Sequence, residues 1–251
     1  MTTNLLLIDG DEYIFRATAA LERETQWDEQ NWVLYSNAEE CWANLSDMVA
    51  RLLDRFEPDI YALCFTRGPN FRKEIDETYK AHRSGKRKPL CYSTLRNRAE
   101  TAYRCIDSPG LEADDVMGIL ATKPGNNAVI VGQDKDFRSV PGSVWNGEEL
   151  IEVSEDEADY FHMFQTLTGD QADGYRGCPG MGPKRAEKAL MTRPPGQTLW
   201  ATVIDCYERA GETYADALRC ARLARILRWQ DWDHENQKPK LWMPYACPMP
   251  H

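Results

Sequence analysis

The segment Leu111–Asp115 places three carboxylates within four positions, those of Glu112, Asp114 and Asp115. Apolar residues follow directly, so the segment predicts the first turn of an amphipathic helix that carries the acids. The helix dipole favours acids near a helix N-terminus, but three so close together repel one another unless a cation lies among them. Carboxylate oxygens are the ligands that hard metal ions prefer. The segment is therefore a candidate metal site, and an N-capping acid with solvated neighbours is the alternative interpretation.

Two apolar runs, residues 5–8 and 128–131, each lead into an Asp-x-Asp pair. Continuous apolar runs of this length are typical of parallel strands that are buried on both faces. In open α/β sheets, ligands bind at the carboxyl ends of the strands. We therefore expect these acids to converge on one cleft with the first cluster. The pairs are Asp9 and Asp11 after the first run, and Asp134 and Asp136 after the second.

A glycine-rich stretch in the C-terminal half predicts phosphate binding. Its glycines are Gly177, Gly180 and Gly182. Pro183, which suits the first turn of a helix, comes next, and Lys184 and Arg185 follow. Glycine lets backbone amides approach a phosphate, the helix N-terminus adds partial positive charge, and the two side chains add full charges. A helical hairpin that serves packing alone is the alternative interpretation.

Strands and helices must alternate to position these groups, and the sequence predicts that they do. Alternation through residue 153 is typical of an α/β fold with a mainly parallel twisted sheet flanked by helices. The polar, Trp-containing segment 26–37 is not assigned to an element, and 232–251 is expected to pack as an extended tail. A second buried strand is predicted over 60–65. Helices are predicted over 38–56, 92–106 and 156–168, and two more between 198 and 229.

The composition is that of a globular chain, with 251 residues, 42% hydrophobic and 28% charged. The formal net charge of −10 argues against a polyanionic partner, but residues 79–88 contain five Lys and Arg and no acid. Eight cysteines form no C-x-x-C pair, and we interpret them as reduced thiols. No apolar run is long enough for a signal peptide or a membrane span. We therefore expect a soluble, cytoplasmic protein.

Several pieces of this sequence resemble the flap endonuclease family of 5′-nucleases, and most closely the small bacteriophage 5′–3′ exonucleases. Their order and spacing cover residues 4–190, whereas the tail after Gln197 matches nothing that we can name. The combination is far more specific than any single piece. The pieces are Asp9-Gly10, Tyr79-Lys80-x-x-Arg83, Leu111-Glu112-Ala113-Asp114-Asp115, Asp134-Lys135-Asp136-Phe137 and the helix–hairpin–helix over 170–186.

The resemblance implies an α/β catalytic domain over 1–160 with a helical arch at about 68–106. It also implies a helix–hairpin–helix DNA-binding region, C-terminal helices and a tail over 161–251. The implied catalytic pair, which contacts the scissile phosphate, is Lys80 and Arg83. The implied metal ligands are Asp9, Glu112, Asp114, Asp115, Asp134, Asp136, Asp170 and Asp173. The implied DNA contacts are Arg16, Tyr79, Lys86, Arg87, Gly177, Gly180, Gly182, Lys184 and Arg185.

The same resemblance implies a 5′–3′ exonuclease or 5′ flap endonuclease that hydrolyses phosphodiester bonds with two Mg²⁺ ions, for which Mn²⁺ can substitute. It also implies a K⁺ ion at the hairpin as an option. The expected partner is double-stranded, nicked or flapped DNA, with RNA–DNA hybrids as an option and no membrane. The absence of paired His or Cys ligands argues independently against zinc.

Two departures from the family pattern and two rival functions remain open at this stage. Asp11 either adds an acid to the cluster or points away from it. The 32 positions between Lys80 and Glu112 leave room only for a short arch. A haloacid-dehalogenase-like phosphatase would explain Asp9-x-Asp11 but not the glycine-rich hairpin. A non-catalytic nucleic-acid-binding protein would not explain why so many carboxylates lie together despite their mutual repulsion.

Overall fold

A parallel sheet forms the centre of the molecule in the computed structural model, which describes residues 4–83 and 85–244. The strands run in the order β5-β4-β1-β6-β7-β8, and all neighbours are parallel except β7 and β8. Three two-stranded hairpins lie outside this sheet. The strands are β1 Leu5–Asp9, β2 Arg23–Gln26, β3 Trp32–Tyr35, β4 Ile60–Arg67, β5 Cys105–Pro109, β6 Ala128–Val131, β7 Gly142–Trp145, β8 Leu150–Val153, β9 Gly169–Asp170, β10 Tyr175–Arg176, β11 Trp232–Asp233 and β12 Lys238–Pro239.

Helices cover both faces of the sheet. Successive side chains of β1 point to opposite faces and therefore pack in two different cores. Leu6 and Ile8 pack in a core with α1, α2 and α4, and Leu7 packs in a second core with α5. This arrangement confirms the predicted α/β fold. The helices are α1 Gly10–Ala19, α2 Ala38–Phe56, α3 Arg72–Ile75, α4 Tyr92–Ala102, α5 Ala113–Ala121, α6 Glu155–Thr168, α7 Pro183–Met191, α8 Leu199–Arg209 and α9 Tyr214–Ala224.

The predicted domain boundary between residues 160 and 161 falls inside a helix. Helix α6 runs across that position without a break. Helices α6 to α9 share a core of their own, but Ile226, Leu227 and Trp232 pack in the core that α5 forms with the sheet. The chain therefore returns to the α/β part after α9, which the sequence pattern did not reveal.

The segment expected to form a helical arch contains little regular helix. Between β4 and α4 the described residues form only α3 and a 3-10 turn at Ala81–Arg83, and residues 85–91 are irregular. The prediction of a helix over 92–106 is wrong at its end, because α4 stops at Ala102 and residues 105–109 pair with β4 as β5. Leu95 and Ala99 of α4 are buried against α1 and α2, so this helix belongs to the body of the fold.

The unassigned segment 26–37 contributes to an exposed hairpin formed by β2 and β3. The tail is only partly extended: β11 and β12 form a short hairpin, and Trp242 packs on the C-terminal core. Residues 245–251, with Cys247 and His251, lie outside the described residues. The seven cysteines that the structure describes are free thiols. No helix among residues 4–83 and 85–244 is long and apolar enough to cross a membrane.

Candidate active site

The carboxyl ends of two adjacent parallel strands bring the first acids together. Strand β1 ends at Asp9, and Asp134 lies just beyond its neighbour β6. Glu112 and Asp114 enter from the start of α5, which packs against β1 and β4. These four acids line one open cleft of about 510 Å³. The cleft is also lined by Asp11, Glu12, Phe15, Arg16, Thr66, Lys80, Arg83, Lys88, Tyr92, Ala113 and Gln133.

A second, much smaller cavity adjoins this cleft through two shared residues, Glu112 and Asp114. Asp136 and Asp173 line it as well, so acids from the 3-10 helix at 135–139 and from the β9–β10 hairpin reach the same cluster. Lys135 Nζ links Asp170 to the group, at 2.7 Å from Asp170 Oδ2 and 3.7 Å from Asp136 Oδ1. Seven of the eight acids predicted as metal ligands therefore converge.

Burial and mutual repulsion raise the pKa values of several of these acids. Burial and the nearby carboxylates Glu12, Asp11 and Asp134 raise the pKa of Asp9 to about 7, against the effect of the Glu12 N–H, which donates to it. Burial and the adjacent acids raise the pKa of Asp136 to about 7, and they raise the pKa of Asp114 well above its usual range. A cation among them would relieve this repulsion.

Basic side chains already compensate the other acids. Burial acts to raise the pKa of Glu112, but Arg72 and Lys80 outweigh it and the net pKa is lowered. In the same way, Lys135 outweighs burial and lowers the pKa of Asp170.

The donor set fits a hard divalent ion. Among the described residues, no His or Cys lines either cavity, and none donates a hydrogen bond to Asp114. Oxygen-only sites of this kind suit Mg²⁺ or Mn²⁺. Within the described part of the chain, however, no group of three or more His, Cys, Asp or Glu side chains is placed to hold a metal ion in this conformation. Lys80, Arg83 and Lys135 instead hold several of the carboxylates.

Asp115 does not join the other acids, which corrects its prediction as a metal ligand. It is fully buried, and its two oxygens accept hydrogen bonds from Arg72 at 2.7 and 2.8 Å. The N–H of Leu227 donates to the same carboxylate at 3.1 Å. Arg72 also donates to the carbonyls of Leu223 and Arg225. Asp115 therefore joins α5 to α3 and to the segment after α9, beneath the cleft.

Lys80 and Arg83, the predicted catalytic pair, both line the cleft. Lys80 Nζ is 2.6 Å from Glu112 Oε1 and 3.4 Å from Asp173 Oδ1, and an Arg83 nitrogen is 2.9 Å from Asp173. The backbone fixes this position, since the Lys80 N–H donates to the Asp173 carbonyl at 2.7 Å. The pair thus brings two positive charges to the edge of the acid cluster.

Tyr79 is not available to DNA, contrary to the prediction. The residue is 2% exposed, and its hydroxyl oxygen lies 3.0 Å from Glu112 Oε2 and 2.9 Å from Asp173 Oδ2, so the two carboxylates share its one proton. It holds two carboxylates at a fixed separation without adding charge.

Asp11 is part of the cleft wall, but both of its oxygens have protein partners. The Thr66 N–H donates to one at 2.8 Å, and the Tyr92 hydroxyl donates to the other at 2.6 Å. The sequence left open whether Asp11 adds an acid to the cluster or points away from it. Asp11 lies at the cleft, where its hydrogen bonds fix the position of β4 and α4.

The other predicted DNA contacts fall into two groups. Arg16 lines the cleft and is paired with Glu12, while Lys86 is exposed on the basic segment and Arg87 is paired with Glu22. The second group lies at the start of α7, where Gly180 and Gly182 are exposed with Lys184 and Arg185. Gly180 has φ of +72°, a conformation that favours glycine.

Gly177 is required for close packing of the backbone and does not form part of an exposed binding surface. A Cβ at this position would lie 2.3 Å from the backbone of Leu167 and of Gly169, so only glycine allows the hairpin to approach the end of α6. The predicted helix–hairpin–helix therefore depends on Gly177 for its closure.

Sequence reasoning missed three residues of the site, namely Arg72, Lys135 and Gln165. Lys135 lies within a quoted motif, and its position between two acids was the available signal. Arg72 and Gln165 belong to no motif, and only their contacts across the fold reveal them.

Comparison with known families identifies the family of this chain. Residues 4–159 match the family described as 5′-3′ exonuclease, N-terminal resolvase-like domain. The chain belongs to this 5′–3′ exonuclease and flap endonuclease family and is a nuclease.

Two phage proteins are similar over almost their whole length. Over 283 aligned positions the chain is 32% identical to the exodeoxyribonuclease of Enterobacteria phage T3, with 96% of this chain and 93% of the relative covered. It is 31% identical to the exonuclease of Escherichia phage T7, with the same coverage.

Among solved structures, the bacteriophage T5 flap endonuclease in a pseudo-enzyme-product complex with DNA and metal ions has the same fold, with a TM-score of 0.62, 15% identity and 89% of each chain covered.

Proposed function

We propose that this nuclease is a divalent-metal-dependent 5′–3′ exonuclease and 5′ flap endonuclease that acts on DNA. One observation carries the proposal: carboxylates from β1, α5, the end of β6 and the β9–β10 hairpin converge on the place where Lys80 and Arg83 also lie. The names of the phage relatives and the DNA and metal ions in the related structure support it.

The carboxylates divide into two sets that would hold two ions. Asp9, Glu112, Asp114 and Asp134 line the cleft, and Asp136, Asp170 and Asp173 lie on the hairpin side. When bound, such ions would make a water molecule more acidic and would neutralise charge on the phosphate. Mg²⁺ is the preferred ion because all seven ligands are oxygens, and Mn²⁺ accepts the same ligands.

The protein's own contribution is to place charge. Lys80 and Arg83 would meet the scissile phosphate beside Glu112 and stabilise the charge that develops on its oxygens. Tyr79 keeps Glu112 and Asp173 at a fixed separation, and the ion pair between Asp115 and Arg72 fixes the helix that carries Glu112 and Asp114.

The start of α7 would bind the DNA backbone away from the reacting phosphate. The positive end of the helix dipole at the start of α7, the exposed Lys184 and the exposed Gly182 suit contact with phosphate. Arg16, Lys86 and Arg87 would contact the strand near the cleft. These contacts would be made to phosphate and not to the sugar or the base, so they would not distinguish DNA from RNA. The proposal therefore includes RNA–DNA hybrids among the substrates to be tested.

A K⁺ ion at the hairpin does not fit the carbonyl of Gly180. That oxygen accepts a hydrogen bond from the Arg185 guanidinium at 3.0 Å, and the positive charge of the guanidinium would repel a second cation. A K⁺ ion at the hairpin would therefore need carbonyls other than that of Gly180.

The test is to digest duplex, nicked, flapped and RNA–DNA hybrid substrates with Mg²⁺, each labelled at either the 5′ or the 3′ end, and to read product lengths. We expect short products from the 5′ label and progressively shortened strands from the 3′ label. Degradation that begins at the 3′ end would contradict the proposed polarity. Release of inorganic phosphate from small phosphomonoesters without cleavage of DNA would instead favour a phosphatase.

A further inference from the structure

Gln165 is a buried amide that contacts the acid cluster and belongs to no motif. It lies on α6, with its side chain directed at the 3-10 helix that carries Asp136. Its Nε2 donates to Asp136 Oδ1 at 2.6 Å, and the residue is only 3% exposed. The nearest cation, Lys135 Nζ, is farther from that oxygen, at 3.7 Å. Gln165 is therefore the closest donor to the Asp136 carboxylate among the described residues.

The other end of the amide has no partner. Gln165 Oε1 is buried and accepts no hydrogen bond from any residue that the structure describes. An unsatisfied buried acceptor costs stability, and an apolar side chain of similar size would avoid that cost. A requirement for packing alone does not explain a glutamine here, and its one hydrogen bond points to Asp136.

We propose that Gln165 is a positioning residue that orients the Asp136 carboxylate toward the ion on the hairpin side. The inference rests on the proposed function, since it concerns how a ligand is held. A neutral amide fixes the carboxylate without cancelling its charge, whereas a lysine or arginine in the same place would compete with the ion. Partners that orient a ligating carboxylate in this way typically change metal affinity or activity by 10- to 100-fold.

The experiment measures Mn²⁺ binding to the full chain by the electron paramagnetic resonance signal of free Mn²⁺, together with thermal unfolding in EDTA. Gln165→Leu should weaken binding at one of two sites by about tenfold. Thermal unfolding in EDTA checks that the variant is folded, because the change removes an unsatisfied acceptor but also the closest donor to Asp136. Gln165→Met, which is unbranched like glutamine, repeats the test if the leucine does not fit.

Gln197→Leu is the matched control. Gln197 Nε2 donates to Asp205 Oδ2 at 2.8 Å on a part of the helical region that lines neither cavity, so its loss should leave Mn²⁺ binding unchanged. Wild-type Mn²⁺ affinity in both Gln165 variants, or an affinity loss in Gln197→Leu as large as theirs, would overturn the inference. A wild-type protein that cleaves DNA without binding Mn²⁺ would overturn the proposed function itself.

Discussion

The ion pair between Arg72 and Asp115 gives the sharpest prediction about stability. Its side chains are 3% and 0% exposed, and two hydrogen bonds of 2.7 and 2.8 Å join them. Arg72→Met removes the cation and leaves a buried carboxylate whose remaining donors are the N–H groups of Leu227 and Glu112. Breaking a buried pair from one side typically costs about 3–5 kcal/mol.

The assay is urea unfolding in EDTA, so that metal binding does not add to stability. We expect Arg72→Met to lose about 3–5 kcal/mol of unfolding free energy. The double variant Arg72→Met, Asp115→Leu should recover most of it, because no unpaired charge remains. Arg67→Met is the matched control: Arg67 pairs with Asp107 at 3.0 Å but is 61% exposed, so its loss should cost less than about 1 kcal/mol. If Arg72→Met costs no more than Arg67→Met, the assignment of Asp115 to structure is refuted.

Further predictions concern the acids and the two basic elements. Asp134→Asn should abolish cleavage in Mg²⁺ while DNA binding, measured by fluorescence anisotropy, stays equal or becomes tighter; full turnover would contradict its assignment as a ligand. In single-turnover assays at saturating enzyme, Lys80→Ala should lower the rate by about a hundredfold or more. Lys184→Ala should instead weaken duplex binding and reduce its salt dependence by about one unit, and equal slowing by both variants would contradict this division. The pKa of Asp9 and of Asp136, raised from 3.8 to about 7, makes the folded state hold more protons than the unfolded state between these values. Without metal, these two acids should therefore lower the unfolding free energy as pH rises from 4 to 7. In urea titrations the double variant Asp9→Asn, Asp136→Asn should lose this falling contribution, and a pH dependence equal to that of the wild type would contradict those shifts.

Three of the six strands of the sheet could be predicted from the sequence, because their burial forces a pattern. Residues 5–8, 60–65 and 128–131 are continuous apolar runs, and the structure contains a strand at each. The hairpin of β2 and β3 was missed because all but one of its residues are exposed and no core imposes a period on them. The end of α4 was misplaced because Ile106 continues the apolar stripe, whereas pairing with β4 decides its conformation.

The composition of the site could be predicted more readily than the partner of each group. Acids at strand ends were identifiable because parallel strands place their carboxyl ends together. The pairing of Asp115 with Arg72 was not identifiable, since 43 positions separate them and no spacing rule links them. The same limit applies to Tyr79, whose hydroxyl turns inward to carboxylates from two distant elements.

Metal dependence is the central claim, and chelation tests it most directly. Single-turnover cleavage of a 5′-labelled flapped duplex and anisotropy binding of the same DNA should be measured with Mg²⁺ and with EDTA. We expect EDTA to abolish cleavage and leave most of the binding, and restored Mg²⁺ to recover the rate, because the carboxylates of Asp9, Glu112, Asp114 and Asp134 require the ion and the surface at α7 does not. Cleavage at an unchanged rate in EDTA would contradict the account.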